Sequence, residues 1–405
     1  MELQIKKLSE CCLSISDGDH QPPPKQATGV PFITISNINQ MNEISFDEVM
    51  YVSDEYYDGL ADIKRAQEGD ILYSVVGSFG IPVLIKNNNR FVFQRHIAIL
   101  RPNREIVLPE YLYYVMLNPD FYRIADKYAI GAAQRTISLD SLRNIEVKIH
   151  PIEEQKRIVS KLVCIDTKIR NNVAINDNLL QLATDIYDFW FAQFNYPNHQ
   201  NLPYKSSGGA MYLNNYLNRQ VSAEISDISV GDITICHDSK RIPLSSNERL
   251  KMQGNIPYYG ATGIMDYIDT HIFEGDYLLL AEDGSVMTSQ GTPILQWIHG
   301  KTWVNNHAHV LEPVEGYSCL LLYMLLKDIP VVQIKTGSIQ YKINQDNLNN
   351  YHVLNIPEYL RKLYIEKTSS IEQKILELRT ENQGLIHLRD WLLPMLMNGQ
   401  ATIDD

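Results

Sequence analysis

In two long stretches of the chain, apolar residues recur at a spacing that would place them in one narrow stripe along a helix. Helices with such a stripe pack against each other along it. In the first stretch, the stripe runs from Ile158 to Trp190 in alternating steps of four and three residues. Such heptad spacing is typical of coiled coils. The same steps recur from Tyr364 to Leu396, where Pro394 is expected to kink the last turn. We therefore predict two long helices, at residues 151–194 and 357–400, that bury their stripes against each other.

Asn176 and Asn382 occupy equivalent positions near the middle of the two stripes. A buried Asn in a coiled-coil seam can fix the register and the orientation of the helices. The alternative is that both are polar substitutions that the seam tolerates. The sequence leaves both interpretations open.

The remaining sequence predicts short strands separated by turns, each part with one internal helix. Residues 1–150 and 221–356 form two such parts, which we assign to the α+β class. The clearest strands are predicted at residues 71–76, 91–93, 97–100, 277–280 and 309–311, and the helices at residues 109–130 and 317–327. Residues 195–220 are polar, contain Pro and Gly and lack periodicity, which predicts a linker.

The chain repeats itself at an offset of 206 residues. Gln134 falls on Gln340 and Asp140 on Asp346, and the same offset relates the two helical stripes. A neighbouring segment that begins at His96 matches one that begins at His307, with the register slipped to 211 residues. Agreement across separated segments indicates two copies of one unit, each a globular part followed by a long helix.

Composition limits the partners and the compartment of this chain. With 36 Lys and Arg against 48 Asp and Glu, the net charge of −12 argues against bulk nonspecific binding to nucleic acid. The five cysteines form no CxxC pair, so neither a structural metal site nor a disulfide framework is expected. No segment has the length of a membrane helix or the pattern of a signal peptide, which predicts a soluble cytoplasmic protein.

Motifs for catalysis are missing from the sequence. No phosphate-binding loop is present, which excludes an ordinary P-loop ATPase. The run from Asn118 to Phe121 is similar to a methyltransferase loop, but it lacks the second proline and has no Gly-rich cofactor loop upstream. His307 and His309 lie on one strand without an acid or Cys cluster in the sequence around them, so no metal site is expected.

The order of these motifs resembles the specificity subunits of type I restriction–modification systems. The resemblance extends over nearly the whole chain, and the motifs that carry it begin at Glu68, Gly77, Gly131, Ile149, Lys205 and Leu388. One departure is clear. The first helix opens with Pro151-Ile-Glu-Glu-Gln155, whereas the second opens with Pro357-Glu-Tyr-Leu-Arg361 and lacks the Glu-Gln pair.

The resemblance implies a non-catalytic subunit that reads double-stranded DNA. In that family, two target-recognition domains each read half of a split site, and the helices form an antiparallel coiled coil that spaces the domains. The helices dock two methyltransferase subunits, and restriction adds two translocase–nuclease subunits. S-adenosylmethionine, ATP and Mg²⁺ would be used by these partners, and no cofactor is expected in this chain.

Local clusters of Arg, Lys, Asn and Gln are the candidates for DNA contact. Residues 1–150 contain 15 basic and 19 acidic residues, and residues 207–356 contain 9 and 15, so a few placed side chains must supply the contacts. Arg, Asn and Gln can each bond two atoms of a base edge. The candidates are Lys86, Asn88, Arg90, Gln94, Arg95, Gln134, Arg135, Lys240, Arg241, Asn305, Asn306, Gln340, Tyr341 and Lys342.

Three alternatives stay open at this point. Polar residues collect in any exposed loop, and a Gln repeated in both halves fits an architectural role as well as base reading. The whole chain could also be a coiled-coil scaffold that binds only protein. A stand-alone nuclease or methyltransferase is the third alternative, and the missing motifs argue against it.

Overall fold

The computed structural model describes residues 3–18, 24–39, 41–47, 49–131, 134–337 and 341–401. Two compact units emerge: residues 1–170 with 383–405, and residues 171–382. Each unit joins one globular part to a segment of both long helices. The compact division therefore crosses the helices, whereas the sequence suggested boundaries at their ends.

The globular part of the first unit is α+β, as predicted. Its strands are β1 (Gln4–Lys7), β2 (Cys12–Asp17), β3 (Val30–Ile33), β4 (Met50–Val52), β5 (Ile71–Ser74), β6 (Pro82–Leu84), β7 (Val92–Phe93), β8 (Ile97–Pro102) and β9 (Glu146–Ile149). Its helices are α1 (Leu8–Cys11), α2 (Asp54–Asp58), α3 (Pro109–Leu117), α4 (Pro119–Tyr128) and α5 (Leu139–Arg143), with 3-10 turns at Ile35–Asn37 and Asp62–Lys64. The main sheet has the order β2-β8-β5-β6, beside a three-stranded sheet β4-β3-β7 and an antiparallel pair β1-β9.

The single helix predicted at residues 109–130 is two helices that meet at Asn118. Proline disfavours helical geometry in the residue before it, and Asn118 is extended, with ψ at 130°. The Asn118 side chain then caps α4 by accepting a hydrogen bond from the Asp120 N–H at 3.0 Å. The Asn-Pro pair is thus explained by helix capping.

The second unit repeats this plan with a larger sheet. Its strands are β10 (Met211–Asn214), β11 (Arg219–Ser222), β12 (Ser226–Ser229), β13 (Thr234–Cys236), β14 (Gln253–Tyr259), β15 (Ile264–Ile268), β16 (Phe273–Ala281), β17 (Leu295–Val304), β18 (Ala308–Pro313), β19 (Lys335–Thr336), β20 (Lys342–Ile343) and β21 (His352–Asn355). The short helices are α7 (Val230–Ile233), α8 (Ser246–Lys251), α9 (Cys319–Leu326), α10 (Val331–Ile334) and α11 (Gln345–Asn349), with 3-10 turns at Lys205–Ser207 and Asp238–Lys240. The sheet order β13-β18-β16-β17 matches β2-β8-β5-β6, and β14 and β15 extend it to six strands.

Residues 195–220, predicted to be a linker, are instead packed on the second unit. Tyr196 and Tyr204 are buried in its core, and their rings stack with centroids 4.9 Å apart. β10 and β11 then form an antiparallel hairpin. The polar, Pro-containing composition predicted a linker, but Tyr196 and Tyr204 hold the segment on the second unit.

The two long helices are present, at α6 (Ile152–Tyr187) and α12 (Glu358–Met397). In the second unit, every predicted seam position of α12 from Tyr364 to Asn382 is buried. The seam of α6 differs at its end, since Tyr187 and Phe191 are buried while Ile186 and Trp190 are only half-buried. A π-helix at Asp188–Ala192 follows α6, and because it holds more residues per turn than an α-helix, the buried positions there no longer follow the heptad. α12 continues through Pro394 as helix.

Within the second unit, the helices are antiparallel. The Asn172 Nδ2 lies 2.9 Å from the Asn382 Oδ1, and the Tyr364 hydroxyl donates to the Ala183 carbonyl oxygen at 3.2 Å, so position rises along one helix as it falls along the other. Asn382 therefore pairs with Asn172 and not with its repeat equivalent, Asn176. Asn176 is half-buried, and its Oδ1 accepts no hydrogen bond among the described residues.

The start of each long helix is clamped to its own globular part by one side chain. The fully buried Gln155 accepts a hydrogen bond from the Leu108 N–H at 2.8 Å and donates to the carbonyl oxygens of Ile106 and His150 at 3.0 and 2.8 Å.

Arg361 occupies the equivalent position in the second unit. It donates to the Ile356 carbonyl oxygen at 3.3 Å and to the Tyr317 hydroxyl at 2.8 Å, and its guanidinium lies over the Tyr317 ring. The motif that the second helix lacks is thus replaced by a different side chain with the same structural role.

Candidate nucleic-acid interface

The candidates of the first unit lie near the two ends of strand β5. Lys86, Asn88 and Arg90 lie near its start, where the Gly69 N–H donates to the Ile85 carbonyl oxygen at 2.8 Å. Gln94, Arg95, Gln134 and Arg135 lie near its other end. The structure therefore separates the Lys86–Arg90 cluster from Gln94 and Arg95, with which the sequence grouped it.

Near the start of β5, the candidates are bound to neighbouring groups. Lys86 forms an ion pair with Glu43, and the Asn88 Oδ1 accepts a hydrogen bond from the Glu68 N–H at 2.8 Å. Arg90 lies 3.1 Å from Asp54 and 3.0 Å from Asp58, over the ring of Tyr57. These contacts give the group a local structural role.

At the other end of β5, backbone hydrogen bonds tie three loops together. The Val75 N–H donates to the His96 carbonyl oxygen at 2.9 Å, the Ile137 N–H donates to Val75 at 3.0 Å, and the Gly77 N–H donates to Arg135 at 3.2 Å. We call residues 75–77, 94–96 and 134–137 the loop edge of the first unit. Arg95 and Gln134 are exposed on it, Gln94 is half-buried, and Arg135 lies 2.8 Å from Asp126.

The second unit builds the same frame from the repeated segments. The Glu282 N–H donates to the His307 carbonyl oxygen and the Ile343 N–H donates to Glu282, both at 2.8 Å. We call residues 282–284, 305–307 and 341–343 the loop edge of the second unit. Gln340, the repeat equivalent of Gln134, lies outside the described residues. The candidates on the loop edge of the first unit therefore correspond in position to those on the loop edge of the second.

A glycine in the left-handed region precedes the last loop of each edge. Gly131 has φ of 90° and Gly337 has φ of 80°. A Cβ on Gly131 would also lie 2.4 Å from the Gln134 carbonyl oxygen. The repeated glycines thus serve the shape of the turn, which both units share.

Two candidates of the second unit lie beneath its edge. Arg241 donates to Glu282 at 2.6 Å and to the Ala308 carbonyl oxygen at 2.7 Å, and it lies 3.2 Å from Asp238. Asn305 is only 3% exposed, and its Oδ1 accepts a hydrogen bond from the His307 N–H. Both were predicted to contact DNA, and both are instead bound to protein groups that support the edge.

Other candidates of the second unit present their side chains to solvent. Lys240 and Asn306 are exposed, and Lys342 is half-exposed while its Nζ lies 3.0 Å from a Glu282 oxygen. Tyr341 lies beside them with the Lys335 ammonium 3.2 Å from its ring centroid. The accessible set is therefore small and mixed in charge.

The sequence missed a group of polar contacts beneath this edge. His309 is buried, and its Nδ1 lies 2.5 Å from Asp238, whereas the exposed His307 Nδ1 lies 2.6 Å from Asp283 at the surface. Burial works against ionisation of Asp238 and Glu282, but hydrogen bonds from His309 to Asp238 and from Arg241 to Glu282 hold the pKa of each carboxyl below its usual range. The contact between Asp238 and His309 joins residues 71 positions apart, which no local pattern could reveal.

Cys236, Asp238 and His309 together offer donor atoms that lie within 4.8 Å of one another. An acid and a cysteine thus do come close to His309, contrary to the reading of the sequence. The donors are already engaged, however: His309 binds Asp238 and the Ile343 carbonyl oxygen, and Arg241 adds a positive charge at Asp238. The set therefore fits an ion-pair network better than a metal site.

Comparison with known families gives the chain its place. A family model described as the type I restriction modification DNA specificity domain matches residues 5–181 and 224–359. The two matches follow the internal repeat and together include most of the chain. The chain belongs to this family. Its role is DNA sequence specificity, and the specificity subunits of this family are non-catalytic.

Individual relatives agree with this assignment. The chain is 36% identical over 111 residues to the type I restriction enzyme specificity subunit S.HindORF215P of Haemophilus influenzae, which covers 27% of this chain and 28% of that protein. The HindI specificity subunit of the same organism is 20% identical over 410 residues, covering 83% and 87%. The chain thus spans less than a third of the first relative and most of the second.

Among solved structures, the S subunit of a type I system from M. genitalium matches with a TM-score of 0.49 and 16% identity, covering 98% of this chain and 96% of that one. The subunit from Thermoanaerobacter tengcongensis matches with a TM-score of 0.37 and 14% identity, covering 98% and 97%. Within the described part of the chain, no helix combines the length and apolar character needed to cross a membrane.

Proposed function

We propose that each unit reads one half of a bipartite DNA target through its loop edge. The observation that carries the proposal is the shared backbone frame, which presents different side chains in the two units. At equivalent positions, the exposed Arg95 of the first unit corresponds to the exposed Asn306 of the second. A constant frame with unlike side chains suits the reading of two different half-sites.

We also assign catalysis to partner subunits of the complex. The long helices would dock two methyltransferase subunits, which use S-adenosylmethionine, and two translocase–nuclease subunits would add ATP- and Mg²⁺-dependent cleavage. Large apolar side chains are exposed on these helices, with Leu388 and Trp391 on α12 and Ile175 and Leu182 on α6. Such residues are typical of surfaces that another protein covers.

The charge of the chain predicts how strongly it binds DNA by itself. Phosphate contacts supply most of the affinity of DNA-binding proteins, and a chain with a net charge of −12 offers few. We therefore expect weak binding by the chain alone and specific binding after assembly with methyltransferase subunits. Equal specific affinity without a partner would contradict this assignment.

The experiment compares the two ends of β5 in the assembled complex. Arg95→Ala with Gln134→Ala should abolish methylation of the cognate site, because these side chains are exposed on the loop edge. Lys86→Ala with Arg90→Ala is the matched control, and methylation should stay near the wild-type level. Genome-wide mapping of methylated adenines reads both. If the control pair alone loses methylation, the edge is assigned wrongly, and if the complex never binds DNA, the scaffold alternative holds.

A further inference from the structure

Different kinds of side chain contact the loop edge from beneath in the two units. In the second unit, Glu282 binds Lys342 through one carboxylate oxygen at 3.0 Å and Arg241 through the other at 2.6 Å. Arg241 also reaches Asp238, which pairs with His309. Five side chains are therefore connected in one chain of contacts that supports a single edge.

His309 is held between two oxygen atoms in this arrangement. Its Nε2 lies 2.9 Å from the Ile343 carbonyl oxygen, an acceptor that requires a proton on that nitrogen. Its Nδ1 lies 2.5 Å from an Asp238 oxygen. The 1% exposed ring is therefore fixed from both sides.

The network also fixes the backbone of the edge. His309 holds the carbonyl of Ile343, the residue after Lys342, while the Glu282 carbonyl accepts the Ile343 N–H at 2.8 Å. The same segment is thereby held from two sides. Loss of the contact between His309 and Ile343 would therefore release one side of the backbone that carries Lys342.

Two of these positions are apolar in the first unit. Ser74 pairs with Ile97 as Ala281 pairs with Ala308, so Val75 corresponds to Glu282 and Ala98 to His309. Val75 and Ala98 are both buried. By the same strand pairing Asp17 corresponds to Asp238, so the first unit keeps one acid but has apolar residues where the second has Glu282 and His309.

We propose that Asp238, Glu282 and His309 are positioning residues for the second half-site, which place Lys342 and the loop that carries it. This inference rests on the proposed function. It predicts that recognition of the second half-site depends on a buried charge network, whereas recognition of the first does not. These residues act through the loop edge and do not themselves contact the bases.

The test uses the full chain assembled with methyltransferase subunits and measures discrimination at each half-site. Discrimination is the ratio of Kd for DNA with one mismatched base pair to Kd for cognate DNA. Glu282→Gln and Asp238→Asn keep side-chain shape and remove charge. Each should lower discrimination at the second half-site about tenfold, within the range that one base contact supplies, and leave the first half-site unchanged.

A matched control lies on the same strand as His309. Glu312 lies on β18, away from the loop edge, and its carboxylate pairs with His237. Glu312→Gln removes that carboxylate and should change neither ratio of Kd values. A double-variant cycle separates positioning from plain stability. Glu282→Gln combined with Lys342→Met should discriminate no worse than Lys342→Met alone, because the two residues act on one contact.

Three results would overturn the inference alone. Equal loss at both half-sites would mean that the variants destabilise the whole chain, and additive losses in the cycle would separate Glu282 from Lys342. Stoichiometric zinc in the purified chain, lost in Cys236→Ser, would replace the Asp238–His309 pair with a metal site. A wild-type complex without discrimination at either half-site would instead overturn the proposed function, and the inference with it.

Discussion

At the scale of single residues, buried polar side chains define this molecule more than its surface charges do. Asn172 is fully buried between the long helices of the second unit, and its Nδ2 donates to Asn382 and to the Glu381 carboxylate at 2.8 Å. Glu372 lies on α12 in the same unit and accepts a hydrogen bond from the Leu320 N–H at 3.3 Å. Each such group is stabilising only while its partners are present.

Replacing one member of the Asn172–Asn382 pair should destabilise the fold more than replacing both. Asn172→Leu is expected to lower the free energy of unfolding by about 1–3 kcal/mol, because it deprives the buried Asn382 Oδ1 of its donor. The double variant Asn172→Leu with Asn382→Leu should recover most of that loss, since an apolar pair fits a coiled-coil seam. Urea denaturation of both single variants and the double variant measures the coupling. Strictly additive losses would contradict a direct pair.

Glu372 gives a pH-dependent prediction. Burial raises the pKa of its carboxyl, opposed by hydrogen bonds from Ser318 and the Leu320 N–H. A raised pKa in the folded state contributes stability at acidic pH that is lost as pH rises through that pKa. Glu372→Gln should therefore be more stable than wild type at pH 8, by up to about 1 kcal/mol, and the difference should shrink toward pH 4.

The measurement for Glu372 is urea unfolding of both proteins at several pH values, followed by comparison of the two curves. Glu377→Gln, exposed on the same helix, is the control and should show no such trend. If the stability advantage of Glu372→Gln over wild type grew as pH fell, the fold would stabilise the ionised carboxylate of Glu372 and not its protonated form.

At the scale of elements, each long helix meets its globular part through one polar side chain. Gln155 forms three hydrogen bonds, to the loop before α3 and to His150, and Arg361 donates to Tyr317 and Ile356 in the second unit. Leu, Ile and Ala at either position could not form these hydrogen bonds. The junctions therefore explain why a polar residue precedes each apolar seam.

Loss of the first junction should be a stability defect of clear size. Gln155→Ala leaves one N–H and two carbonyl oxygens without their partner in a buried site, which should cost about 2–3 kcal/mol. Gln181→Ala, at an exposed position on the same helix, should cost less than about 0.5 kcal/mol. Thermal and urea unfolding measure both. If the Gln155 variant were as stable as the Gln181 variant, Gln155 would not be a stabilising junction between helix and globular part.

At the scale of the whole molecule, the chain is one plan carried out twice with different side chains. Heptad spacing and the 206-residue offset were sufficient to predict both long helices and both α+β parts, because long periodic patterns survive local irregularities. The packed segment at 195–220 was missed, since two tyrosines in a polar stretch carry no periodic signal. The pairing of Asn382 with Asn172 was also missed, because an antiparallel register depends on both helices at once.

The candidate interface was predictable in residue type but not in orientation. Arg95 and Gln134 are exposed as expected, whereas Arg241 and Asn305 support the edge from beneath. Nothing in the sequence distinguishes an Arg that faces solvent from one bonded to two buried carboxylates. Asp238 and His309 could be recognised as partners only once the sheet had brought β13 beside β18.

The repeat predicts that the two halves of the target can be changed separately. Replacing residues 1–150 with the matching segment of another specificity chain should change one half of the methylated motif and preserve the other, because each loop edge lies within its own unit. Mapping of methylated adenines in cells that carry the exchanged chain gives the result. A motif altered in both halves would refute the assignment of one unit to each half-site.

The junctions at Gln155 and Arg361 have a further consequence for inheritance. A genetic crossover located between the codons of His150 and Gln155 would separate the glutamine from the carbonyl groups that it binds, so the incoming segment must supply a loop with the same backbone spacing. A crossover that moved the second globular part onto the first helix would place a glutamine beside Tyr317, where the ring now stacks on a guanidinium. Recombination between the two copies within one gene is therefore disfavoured at these points, whereas exchange between the same copy of different genes is tolerated. Lineages that diversify by shuffling should therefore retain the order of the two copies.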